Sequence, residues 1–120
     1  MPDSTTARRR RRLQDILTYA SSIKRIAAPL TQAAFQADEL AQKAVCFDLL
    51  CISEATARLL DLDPAVANRH PTVPWAQIRA IGNVLRHEYA AIDVSIIWET
   101  IATGDLDTLT EAVTAELENS

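Results

Sequence analysis

Asp38-Glu-Leu-Ala-Gln-Lys-Ala-Val-Cys-Phe-Asp-Leu-Leu-Cys-Ile-Ser-Glu-Ala-Thr-Ala-Arg-Leu-Leu-Asp61 reads as one long helix. No glycine or proline interrupts it. Leu40, Ala44, Phe47, Cys51, Ala55 and Leu59 recur every three or four residues, the spacing of one apolar stripe on a 3.6-residue helix. Asp38 is placed to cap the start, because its carboxylate can accept from the free amides of the first turn. Asp61-Leu-Asp-Pro64 ends the pattern. Glu54 sits at the edge of the stripe and leaves two readings open. A buried carboxylate there needs a partner; a half-exposed one reaches solvent.

The same periodicity extends outward on both sides. Residues 1–8 read as a flexible basic tail. A first helix is expected from about Arg9 to Ala28, with Leu13, Ile16, Leu17, Ala20, Ile23 and Ala27 on its apolar face and Pro29 at its end. After the long helix, Asn68-Arg-His-Pro-Thr-Val-Pro-Trp75 should run extended, since residues before proline avoid the helical region. Trp75 then opens a helix that reaches about Tyr89 and buries Ile78, Ile81, Leu85 and Tyr89. Another helix should begin after Asp93, whose side chain can cap Val94-Ser-Ile-Ile-Trp98. Gly104-Asp105 breaks it, and Asp107 to Glu118 form a terminal helix. No repeat, strand or glycine-rich phosphate loop is visible, which argues against a nucleotide-binding α/β fold.

Composition agrees. A chain of 120 residues suits one core and is too short for two. With only 2 Gly and 5 Pro, helices are favoured over short strands and tight turns. No apolar run approaches the ~18 residues of a membrane span. The N-terminal arginines have no apolar segment behind them, so no secretory signal is expected; a cytoplasmic location follows as the default. Cys46 and Cys51 lie on different faces of the long helix, and no Cys-x-x-Cys occurs. His70 and His87 are far apart in sequence, so no metal site and no cofactor is expected. Reduced, packed cysteines are the better reading.

Charge is unevenly spread. The net value is −4, from 12 basic and 16 acidic residues. Arg8 to Arg12 supply five of the basic ones; the rest of the chain is left with seven against sixteen, or −9. An acidic body is a poor general binder of nucleic acid. Any RNA contact must use local cations: the arginine run, or Arg79 and Arg86. The run also reads as a solvated helix start or a contact to an acidic partner.

The residues with most chemistry lie in Arg79-Ala-Ile-Gly-Asn-Val-Leu-Arg-His-Glu-Tyr89. RNA is cut without metal when the ribose 2′-hydroxyl loses its proton and attacks the adjacent phosphate. Histidine suits that transfer because its pKa lies near neutral pH. Arginine suits the other half, neutralising the charge that builds on phosphate. The plain alternatives stay open: a helical histidine is more often structural, a tyrosine more often core, an arginine more often solvated.

Four segments in register nevertheless resemble the HepT-like branch of the HEPN-domain ribonucleases. Phe35-Gln-Ala-Asp38 resembles that family's Phe-x-x-Asp. Ser53-Glu-Ala55 resembles its Gly-Glu-Ala, with serine for glycine. His70-Pro-Thr-Val-Pro-Trp75 resembles its His-Pro-x-x-Pro-Trp. Asn83-Val-Leu-Arg-His-Glu-Tyr89, followed by Ile92-Asp93 and Ile97-Trp98, resembles its active-site motif of arginine, four residues, histidine, any residue, tyrosine. The resemblance covers about residues 9–118. It implies an all-α, HEPN-type antiparallel helical bundle in a single domain, usually a homodimer with both motifs facing a cleft. It implies the toxin of a toxin–antitoxin pair: a metal-independent ribonuclease acting on tRNA or mRNA, paired with a minimal nucleotidyltransferase antitoxin of the MNT type. It assigns His87 as general acid/base, Asn83 as a helper near the phosphate, Tyr89 as an acceptor of AMP from the antitoxin, and Glu54 as a supporting residue.

One departure is decisive. The motif arginine is replaced by Gly82. Arg79 lies eight residues and ~12 Å of helix rise before His87. Arg86 is adjacent to His87 but points about 100° away around the helix, so it would serve a partner's site across a dimer. Restoring Gly82→Arg is expected to raise cleavage. The alternative function is a catalytically inactive HEPN dimer that binds a nucleotidyltransferase antitoxin or RNA.

Overall fold

In the computed structural model, residues 4–119 are described, apart from the Tyr89 side chain. Among the described residues seven α-helices follow in order: α1 (Ser4–Ala27), α2 (Gln32–Gln36), α3 (Glu39–Leu62), α4 (Ala65–Arg69), α5 (Trp75–Glu88), α6 (Val94–Ala102) and α7 (Asp105–Glu118). A 3-10 turn, Tyr89–Ala91, links α5 to α6. No strand occurs among the described residues, and the fold is all-α as expected.

α3 is the central helix. Its Asp38 cap is present, the carboxylate accepting from Ala41 N at 3.0 Å. α1 lies antiparallel to it: Arg9 meets Asp63 near one end, and Ser22 donates to Asp48 at 2.6 Å toward the other. α5 packs on another side of α3. α7 runs antiparallel to α1, with Lys24 against Asp107 and Arg9 against Glu116. The core between these helices is mainly apolar. Leu13, Ile16, Leu59 and Leu109 are wholly buried, as is Phe35, whose ring meets Trp98 at 5.3 Å. Each such side chain contributes about 1.5–3 kcal/mol relative to exposure.

Several boundaries differ from the sequence expectation. α1 begins at Ser4, so the tail expected over 1–8 is helical from that residue; residues 1–3 lie outside the described part. Arg9, one turn inside this helix, is drawn into an ion-pair cluster with Asp63 and Glu116 at the far end of α3 and α7. Short helices α2 and α4 occupy stretches too brief to show a period. α7 starts at Asp105, directly after Gly104, whose φ of 90° stops α6 and turns the chain.

The stripe drawn on α3 is half right. Ala55 and Leu59 are buried, but Leu40 is 80% exposed and Phe47 58% exposed. The buried face of α3 is instead Ala41, Val45, Leu49, Ile52, Thr56 and Leu59. α3 touches helices on more than one side, so a single narrow stripe understates its contacts.

Candidate functional site

α5 presents two faces. Trp75, Ile78, Gly82 and Leu85 are buried. By the ~100° step of a helix, Asn83 and His87 fall on the opposite side, one turn apart. Both are exposed, and neither takes a hydrogen bond or ion pair among the described residues. The fold therefore delivers an imidazole and an amide side by side to solvent. Trp75 anchors the start of this helix, 8% exposed, its indole donating to the His70 carbonyl at 2.9 Å. Asp93 caps the next helix by accepting from Ser95 N at 2.9 Å, and the Ser95 hydrogen bonds hold its carboxyl below the usual range.

At Gly82, α5 lies directly against Ser53 of α3. A Cβ added there would lie 2.1 Å from Ser53 Oγ and 2.6 Å from Ser53 Cβ. The Ser53 hydroxyl is buried in the crossing and donates to the Arg79 carbonyl at 3.0 Å. Ser53 thus fills the space that a side chain at position 82 would need. Turning the Ser53 hydroxyl away does not relieve the contact to its Cβ, which is fixed to the backbone. The two departures from the family pattern, serine at 53 and glycine at 82, are in contact with each other. Gly82→Arg, expected to raise cleavage, meets this contact: a side chain at 82 requires Ser53 to shift or to be reduced to glycine.

Arg86 points back toward the same spot. Its guanidinium nitrogen lies 3.7 Å from the position of a Cβ at residue 82, and it pairs with Glu54 at 3.5 Å. Helical side chains lean toward the preceding turn, which brings residue 86 over residue 82. Glu54 also accepts from Arg58 at 2.8 Å. It is half-exposed, so of its two sequence readings the solvent-reaching one is correct, with arginine partners added. Arg79 is exposed, and its side chain makes no hydrogen bond or ion pair among the described residues. Neither Arg79 nor Arg86 is bonded to His87 within the chain. Tyr89 falls in the 3-10 turn directly after α5, and its side chain lies outside the described residues.

His70 has a different role. Its Nε2 meets Glu116 at 2.6 Å, in a cluster where Arg69 bonds Glu116 at 2.8 and 3.0 Å and Asp63 at 2.8 Å. Arg9 joins both carboxylates. Hydrogen bonds from Arg69 come first in holding the Glu116 and Asp63 carboxyls below their ordinary range. Glu116 is 6% exposed, although in the sequence it reads as one more acidic residue of a terminal helix. Cys46 and Cys51 are free thiols, both pushed up by burial. Among the described residues, no group of three His, Cys, Asp or Glu is placed to hold a metal ion.

The chain is similar to known proteins. A protein of Methanocaldococcus jannaschii named "Putative RNase MJ0127" is 33% identical over 89 residues, 74% of this chain and 71% of that protein. The "Probable ribonuclease HepT" of Thermococcus cleftensis is 29% identical over 90 residues, 74% of this chain and 78% of its own length. No solved structure matches the chain. The family described as "Ribonuclease HepT-like" matches residues 16–116, a span that contains Glu54, Gly82 and the His87 face, and the chain belongs to that family.

Proposed function

We propose that the protein is a HEPN-type ribonuclease of lowered activity, acting on RNA without metal as the toxin of a toxin–antitoxin pair. The observation that carries this reading is the Arg86 guanidinium lying over Gly82, with Glu54 as its anchor. Arg86 supplies positive charge next to the position of the missing arginine, one residue before the exposed imidazole. In this mechanism His87 takes the 2′-hydroxyl proton as that oxygen attacks phosphorus. The 5′-oxygen leaves and takes a proton from solvent, giving a 2′,3′-cyclic phosphate, and the imidazolium later returns its proton to solvent. Asn83 orients the phosphate, and Arg86 offsets its growing charge. Arg86 stands about 100° from His87 around α5, so a second copy of the chain is the natural way to bring both groups to one phosphate. Leu40 and Phe47, exposed on α3, support such self-association.

The partner in this reading is a nucleotidyltransferase antitoxin of the MNT type, which adds AMP to Tyr89. Attachment next to His87 would close the site to RNA.

A second reading is favoured by the Ser53–Gly82 contact. A crossing that excludes the motif arginine suits an inactive dimer that binds the antitoxin or RNA. Cleavage of tRNA and mRNA in EDTA separates the two. The ribonuclease reading expects cutting by the wild type, loss in His87→Ala and a strong reduction in Arg86→Ala. Cutting by none of the three removes the ribonuclease reading and leaves the binding module.

A further inference from the structure

The arginine run at the start of α1 divides by face. Arg9 turns inward to Asp63 and Glu116. Arg8 and Arg12, one turn apart, line a hollow of about 180 Å³ together with Arg58 of α3, Asp61 and Leu62. Arg12 also borders a second hollow, of about 330 Å³, whose wall includes Tyr19, Glu54 and Arg86. The two hollows therefore adjoin at Arg12. Arg58 and Arg86 are linked through Glu54, which accepts from the first and pairs with the second. A strip of four guanidinium groups runs from the start of α1 across α3 to α5, and stops one residue before His87.

We propose that this strip, Arg8–Arg12–Arg58–Arg86, is the track that holds the phosphodiester backbone of RNA and leads it to the His87 face. The inference rests on the ribonuclease reading and adds where the strand lies. Three physical points carry it. The strip keeps a net positive charge, four arginines against Asp15, Glu54 and Asp61, on a chain that is acidic elsewhere. Its ion pairs are half-exposed, as with Arg58 and Arg86, and such pairs contribute ~0–1 kcal/mol, so phosphates displace the carboxylates at small cost. Arginine forks match phosphate oxygens in pairs, and concave placement sets them along a strand rather than at one point. The basic start of α1 opposes the helix dipole, a local cost that a phosphate-binding role explains.

The test uses a fluorescent single-stranded RNA with every 2′-hydroxyl methylated, so that binding is read without cleavage. Anisotropy is followed in EDTA over 50–200 mM salt for the full chain. Arg8→Ala/Arg12→Ala/Arg58→Ala is compared with the charge-matched Arg10→Ala/Arg11→Ala/Arg25→Ala, whose residues line neither hollow. Far-UV circular dichroism checks the helices of both. The track triple should lose at least ~10-fold in affinity, and its salt slope should fall by about 2, from ~0.7 per phosphate contact in single strands. The control should lose under ~3-fold. Equal losses in the two triples, with tight wild-type binding, overturn the track and leave the ribonuclease reading standing. Absence of RNA binding by the wild type overturns both. Equal binding of a poly-glutamate chain, lost in the same triple, overturns the assignment to RNA in favour of an acidic protein segment.

Discussion

His87 is set apart from the other histidine by what surrounds it. His70 is tied to Glu116 and belongs to the scaffold; His87 stands free on the outer face of α5. Substituting it should therefore cost activity and not stability. For His87→Ala, RNA cleavage is expected to fall by at least ~10²-fold, the usual contribution of a proton-transfer group. Its thermal midpoint should stay within ~2 °C of the wild type. A midpoint drop of ~5 °C or more would instead make His87 structural. Tyr89 is tested by mass. With ATP and the nucleotidyltransferase partner, the wild type should gain one AMP and Tyr89→Phe none; the same gain on both removes the acceptor assignment. The residue motif was legible in the sequence because helical spacing alone puts Asn83 and His87 on one face. The pairing of Arg86 with Glu54 was not, because it depends on another helix.

At the scale of elements, the α3–α5 crossing decides what position 82 can hold. Ser53 and Gly82 are 29 positions apart, and nothing in their local sequence links them. Gly82→Ala gains helix propensity, about 0.5–1 kcal/mol. It also places a methyl group within 2.6 Å of Ser53 Cβ, and overpacking of this kind costs about 1–3 kcal/mol. The net expectation is a lower denaturant midpoint for Gly82→Ala, where an isolated helix would predict a higher one. The same substitution in a Ser53→Gly background should be neutral or stabilising. For activity, Gly82→Arg alone should destabilise the chain without raising cleavage, while Ser53→Gly/Gly82→Arg should cut RNA faster than the wild type. Additive single and double effects on stability would show that the two positions do not compete for one space.

At the scale of the whole molecule, the Arg9–Asp63–Glu116–Arg69–His70 cluster ties α1, the end of α3, α4 and α7 together. Both carboxyls are depressed in the folded state, so the stability they confer is complete above the unfolded values of ~4. It is lost as pH falls through the lower folded values. Thermal midpoints should be level from pH 7 to about 5 and drop below about 4. Glu116→Ala should lower stability at pH 7 by about 2–3 kcal/mol, less than a fully buried pair because Arg69 is half-exposed, and should flatten the acid limb. An unchanged acid limb in that variant would assign the dependence to other carboxylates.

The sequence by itself determined the helical class, the caps at Asp38 and Asp93, the break at Gly104, and the face that carries Asn83 and His87. These follow from spacing and from hydrogen bonds made within a few residues. Tertiary structure alone decided that Leu40 and Phe47 stay outside, that Arg9 turns inward while Arg8 and Arg12 line a groove, and that Ser53 takes the space of a side chain at 82. Each of those outcomes depends on where helices distant in the chain meet or fail to meet, and periodicity within one helix carries no information about which neighbour it will find.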